Sequence, residues 1–138
     1  MTSAYRRGAF AVLLASLVCL PGCHKSAPAD GPQYIMLVFN AADCEQNGSR
    51  GIVDIYAGQP VIYQGATAQS QFKIDFANAS CPLSADNCPV NSPNGNSVNV
   101  GPPLASASGS TFMYRSMMID NLPCKGVQQM GVRVRAKP

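Results

Sequence analysis

Thiols are the reactive side chains that recur along this sequence, at Cys19, Cys23, Cys44, Cys81, Cys88 and Cys124. A thiol can be acylated, oxidised to a disulfide, or deprotonated onto a metal. The metal option lacks its usual company. There is no Cys-x-x-Cys pair, and the single histidine, His24, lies far from the later cysteines, whereas protein zinc sites are built from closely spaced Cys and His ligands. Acid-base and nucleophilic catalysis meet the same shortage, since they need a base poised beside a nucleophile or a pair of carboxylates. Asp43, Glu45, Asp54, Asp75, Asp86 and Asp120 are scattered without such spacing. No Gly-rich phosphate loop, Gly-x-Ser-x-Gly elbow or calcium loop occurs either. The sequence therefore predicts no enzyme, no cofactor and no metal, and leaves acylation and cross-linking as its chemistry.

Which thiol does which depends on its place in the chain. Arg6 and Arg7 precede Ala9 to Leu20, a mostly apolar run of about a dozen residues where a membrane-spanning helix needs ~20. That combination predicts an export signal over residues 1–22. It ends in Leu20-Pro21-Gly22-Cys23, which resembles the lipobox of bacterial prolipoproteins, with Pro21 standing where a small or hydroxyl residue is usual. The resemblance implies cleavage before Cys23, lipidation of its sulfur and anchoring to a membrane. Two or three acyl chains, each gaining ~0.8 kcal/mol per buried methylene, hold far more firmly than one. In that family an aspartate after the cysteine retains the protein at the inner membrane. His24 here implies the periplasmic face of an outer membrane instead.

His24 to Pro32 is polar, with small residues and two prolines, and cannot bury apolar surface. Residues 23–32 are thus a flexible tether. The remaining stretch, 33–138, has the length of one domain. The chain carries ten Lys and Arg against seven Asp and Glu, but Arg6 and Arg7 leave with the signal. A nearly neutral mature protein has no electrostatic footing for nucleic acid.

With Cys19 lost and Cys23 acylated, Cys44, Cys81, Cys88 and Cys124 form an even set. In an oxidising compartment structural disulfides are expected. Cys81 and Cys88 can close a compact loop containing Pro82, Asp86 and Asn87, which would leave Cys44 to join Cys124. Cys81 with Cys124 is the rival arrangement if those two loops share one end of the fold.

Strands must position these cysteines. In Gln71 to Phe76, Phe72, Ile74 and Phe76 share one face and Lys73 and Asp75 the other, the period-2 signature of a half-buried strand. Tyr34 to Phe39, Ile52 to Tyr56, Val61 to Gln64, Val98 to Val100, Thr111 to Ile119 and Val132 to Arg135 bring the total to about seven. Tyr34 to Phe39 is nearly all apolar, which predicts a first strand covered on both faces. Turn signals such as Asn47-Gly48, Gly58-Gln59-Pro60, Asn94-Gly95 and Gly101-Pro102-Pro103 separate them, at spacings expected of a sandwich or barrel. Residues 79–111 are the least regular part, and a long loop on a rigid β scaffold is a common place for a binding surface.

The segment Ser110-Thr111-Phe112-Met113-Tyr114-Arg115-Ser116, followed by Met130-Gly131-Val132-Arg133-Val134, resembles the last two strands of a cupredoxin-type domain. Gly58 to Ile62 and Phe72 to Phe76 suit that fold's strand order. The resemblance does not extend to copper. Ser116 lies about where the copper thiolate would fall, no histidine follows, and Met130 alone is similar to the axial ligand, whereas a blue-copper site needs two histidines and a thiolate. Met113, Met117, Met118 and Met130 could offer thioethers to cuprous ion, but methionines on strands more often fill core gaps.

The expectation is an all-β protein, a small disulfide-stapled Greek-key β-sandwich of cupredoxin-like or immunoglobulin-like type. Its expected role is that of an envelope lipoprotein held to a membrane through Cys23. There it would act as a non-catalytic binding or structural module for another envelope protein. The rival function is inhibition of a lysozyme or protease by an inserted loop, and copper handling is a third.

Overall fold

β-Branched and aromatic residues at alternating positions favour a pleated, half-buried surface, and seven of the ten strands described below follow that pattern. The computed structural model describes residues 30–40, 43–67, 69–93 and 97–137. The proposed signal, the Leu20-Pro21-Gly22-Cys23 motif and the tether to position 29 lie outside them. The strands are β1 (Gln33–Asn40), β2 (Asp43–Gln46), β3 (Ile52–Tyr56), β4 (Val61–Gly65), β5 (Phe72–Phe76), β6 (Val90–Ser92), β7 (Ser97–Asn99), β8 (Thr111–Ile119), β9 (Leu122–Pro123) and β10 (Gly131–Arg135). Four three-residue 3-10 turns are the helical elements among the described residues.

The strands form two sheets. One runs β2-β1-β4-β7; the other runs β3-β10-β8-β5-β6, with β9 paired to β8. Two neighbouring pairs are parallel, β1 with β4 and β3 with β10. The rest are antiparallel. The chain passes from one sheet to the other between β2 and β3, β3 and β4, β4 and β5, and again on either side of β7. The result is the all-β sandwich that the alternation predicts, with Ile35, Leu37, Val61 and Tyr63 of the first sheet facing Ile55, Ile74, Tyr114, Met117, Val132 and Val134 of the second.

Ten strands replace the expected seven, and the three additions explain themselves. β2 reads Asp-Cys-Glu-Gln, and its inward positions are Cys44 and Gln46. β6 has one apolar residue, Val90, and β9 is two residues long. None of the three carries the alternating apolar pattern by which strands are read. The strand expected at Val98 to Val100 lies one residue earlier, with Val98 half-buried and Val100 buried just past its end.

β1 corrects a second expectation. Its burial alternates, Ile35 and Leu37 inside while Tyr34 and Met36 are 55% and 36% exposed, so it is covered on one face only. Parallel pairing with β4 gave it a neighbour in the sheet, not a second layer. Its first residue is clamped to the other sheet: the Gln33 side chain accepts from the Tyr56 N–H at 2.6 Å and donates to the Tyr56 carbonyl at 3.1 Å.

The four cysteines pair as Cys44 with Cys124 and Cys81 with Cys88, with Cα separations of 5.5 and 6.4 Å. The first joins β2 to the segment after β9 across 80 residues of sequence; the second closes a short loop. The Cys81–Cys124 alternative is not adopted. The irregular stretch 79–111 is not one loop. It contributes β6 to the edge of the second sheet and β7 to the edge of the first.

Candidate functional site

The outer face of the second sheet is assembled by register. Asp54 on β3 stands beside Arg133 on β10, and Arg133 is paired with Thr111 on β8. Asp75 and Lys73 on β5 stand beside Ser116 and Met118 on β8, with Asn91 of β6 beyond Lys73. Because directly paired residues share a face, Lys73, Asp75, Arg133 and Arg135 all point away from the core; Lys73, Arg133 and Arg135 are exposed and Asp75 is half-buried.

One irregularity shapes this face. The register between β5 and β8 shifts so that Asp75 opposes Ser116 while Phe76 opposes Tyr114. Arg115 is the extra residue of a β-bulge, and the bulge lets Tyr114, Met117 and Ile119 all turn inward although the first two are three apart. It also pushes Arg115 to the surface, exposed, as bulges commonly re-aim a side chain.

Asp54 is held between two guanidinium groups, 2.6 Å from Arg133 Nε and 2.7 Å from Arg135 Nε. The hydrogen bond from Arg133 lowers its carboxyl below the usual range, partial desolvation opposes the shift, and Arg135 adds to the lowering. Ser116 Oγ donates to Asp75 Oδ2 at 2.8 Å. That pair has the nucleophile type and the acid of a hydrolase but no base between them, since residues 33–138 contain no histidine.

Two shallow clefts flank β5. One, of about 270 Å³, is lined by Asp75, Phe76, Ser80, Cys81, Cys88 and Arg115, among others. The other, of about 220 Å³, includes Lys73, Asn91, Met118 and Asn121. Both fall below the ~300 Å³ at which pockets for drug-sized ligands begin, a size suited to single side chains of a partner. The irregular segment reaches the first cleft through Ser80, Cys81, Cys88 and Pro89 and the second through Asn91, Ser92 and Pro93, whereas its β7 belongs to the other sheet.

The core contains a polar chain that sequence inspection passes over. Gln46 is wholly buried; its Nε2 donates to the carbonyls of Gly51 and Gly131 at 2.6 and 2.7 Å, and its Oε1 accepts from Tyr114 OH at 2.9 Å. Tyr63 OH lies 3.2 Å from Tyr114 OH, linking the two sheets. Burial pushes both phenols well above the ordinary tyrosine range. These groups satisfy one another and line neither of the two clefts beside β5, so their work is structural.

The residues singled out through the cupredoxin resemblance do not converge. Ser116 is on the outer face with Asp75, and Met130 is wholly buried. Met117 points into the core and its neighbour Met118, 37% exposed, points out, so the thioethers are split between two faces. The sequence signal that could have marked the outer face was the repeated charge at 73, 75, 133 and 135, which reads as mere solvation. The bulge at Arg115 had no sequence signal. No protein-family model matches the chain, and no curated protein matches it at a significant level.

Proposed function

We propose that this chain is an envelope lipoprotein, anchored by acyl chains on Cys23 to the periplasmic face of an outer membrane. Residues 24–32 act as the tether. The sandwich serves as a non-catalytic module that engages another envelope protein across the outer face of its second sheet. The observation that carries this reading is the difference in net charge between the two outer faces, positive on the second sheet even after Asp54 and Asp75 are counted against its four cations, and negative on the first. Lys73, Arg115, Arg133 and Arg135 all stand on the second sheet with both clefts, while β2 on the first sheet contributes Asp43 and Glu45. Charge arranged this way raises encounter rates and fixes orientation more than it adds affinity.

Two measurements test it. Mass spectrometry of the protein from a two-membrane bacterium should find fatty-acid mass on an N-terminal Cys23, and Cys23→Ala should move the protein to the soluble fraction. A ripe N-terminus elsewhere, or unmodified, would refute the anchor. A photo-crosslinker at position 73 should then capture an envelope protein that one at position 34 on the opposite face does not. Capture from position 34 alone would overturn the assignment of the face. A secreted lysozyme or protease as the captured protein would turn the reading to inhibition.

A further inference from the structure

The two disulfides differ in what surrounds their sulfurs. We infer that Cys81–Cys88 is a thiol–disulfide exchange site, open to a dithiol from outside, whereas Cys44–Cys124 is an inert staple. Exchange at this pair does not depend on the lipid anchor and uses the same cleft beside β5.

In exchange, an external thiolate attacks one sulfur in line with the S–S bond, and the other sulfur leaves as a thiolate. Attack on Cys124 would expel Cys44 as a thiolate into a site where it is wholly buried among apolar side chains. Burial in apolar surroundings raises a thiol's pKa and makes it a poor leaving group. Attack on Cys44 itself is barred by the same burial. Cys81 and Cys88 are each half-buried and both line the open cleft of about 270 Å³. Arg115 lines that cleft as well and is exposed; a guanidinium beside a departing thiolate lowers its pKa and speeds departure. Asp75 also faces the cleft and opposes this, although its carboxylate accepts the Ser116 hydroxyl.

The loop is held by bonds other than its disulfide. The Asn87 side chain donates to the Val100 carbonyl at 3.0 Å, the Leu104 N–H donates to the Pro82 carbonyl at 2.7 Å, and Leu83 and Val90 are buried. Breaking the S–S bond therefore leaves the segment in place with its two thiols side by side. The donor's first thiolate forms a mixed disulfide with one cysteine and the Cys81–Cys88 bond breaks. The donor's second thiol then displaces that cysteine, so the donor ends as a disulfide and this chain as a dithiol carrying two electrons and two protons. The co-reactant is a small or protein dithiol of the envelope.

The test is a time course of the oxidised full chain with dithiothreitol, quenched by alkylation and read by peptide mass spectrometry. Cys81 and Cys88 should be labelled about tenfold or more faster than Cys44 and Cys124, with the near-ultraviolet circular dichroism band of the core retained. Equal rates for the two pairs, or labelling at 81 and 88 only as that band collapses, would overturn the inference. Arg115→Gln should slow labelling at 81 and 88 several-fold and Asp75→Asn should speed it. Absence of both effects would remove the electrostatic part. Failure here leaves the crosslinking result untouched, so the two proposals fall separately.

Discussion

Tyr114 carries more of the interior's organisation than its single hydroxyl suggests. It donates to Gln46 Oε1, meets Tyr63 OH, and its ring packs edge-on against Phe76 at a centroid distance of 5.3 Å. Tyr114→Phe keeps the ring but strands a buried amide oxygen and a buried phenol, and each unsatisfied buried group costs about 1–3 kcal/mol. Tyr63→Phe removes only the end of the chain and leaves the Gln46 contact intact. Urea denaturation should find the Tyr114 substitution the more destabilising of the two by about 1 kcal/mol or more. Equal losses would mean that the Gln46 contact adds nothing. The Asp54 cluster, by contrast, lies at the surface with its arginines 44% exposed, where ion pairs contribute little.

At the scale of the strand, β8 is the element on which the second sheet depends. It pairs with β10, β5 and β9 and contains the bulge at Arg115. Its contact with β10 is so close at Gly131 that a Cβ there would collide with the Phe112 carbonyl and touch Met113 Cα. Backbone atoms cannot swing aside, so Gly131→Ala should destabilise by about 1–3 kcal/mol, the usual penalty of overpacking. Thermal melting would detect it, and an unchanged midpoint would show that the two strands can separate freely. Periodicity revealed the strands that bury alternating apolar residues: β5 with Phe72, Ile74 and Phe76, and β10 with Val132 and Val134. It could not reveal β2, whose inward residues are a cysteine and a glutamine. Gln46 reads as a surface residue because nothing local announces the three partners, at positions 51, 114 and 131, that make its burial affordable. The outer face was half legible: Lys73 and Arg133 stand where alternation places them, but Arg115 depends on a register shift that only strand pairing creates.

For the whole molecule, the long-range disulfide should matter more than the short one. In the chain-entropy account a cross-link closing about 80 residues stabilises by roughly 4–5 kcal/mol and one closing about 8 residues by roughly 2–3. The Cys44→Ser/Cys124→Ser protein should therefore lose more stability to denaturant than the Cys81→Ser/Cys88→Ser protein. The reverse order would place the stabilising constraint in the short loop and contradict its role as the exchangeable pair.

The position of β1 has a mechanical consequence. The strand that follows directly on residues 30–32 has β2 on one side and β4 on the other, and its first side chain grips Tyr56 in the opposite sheet. A tug arriving from the N-terminal side runs along this strand while its ladder bonds lie crosswise. The bonds share the load simultaneously, in shear, instead of peeling open one after another. A pull on the N-terminal end of β1 would therefore have to break its ladder to β2 and β4 together.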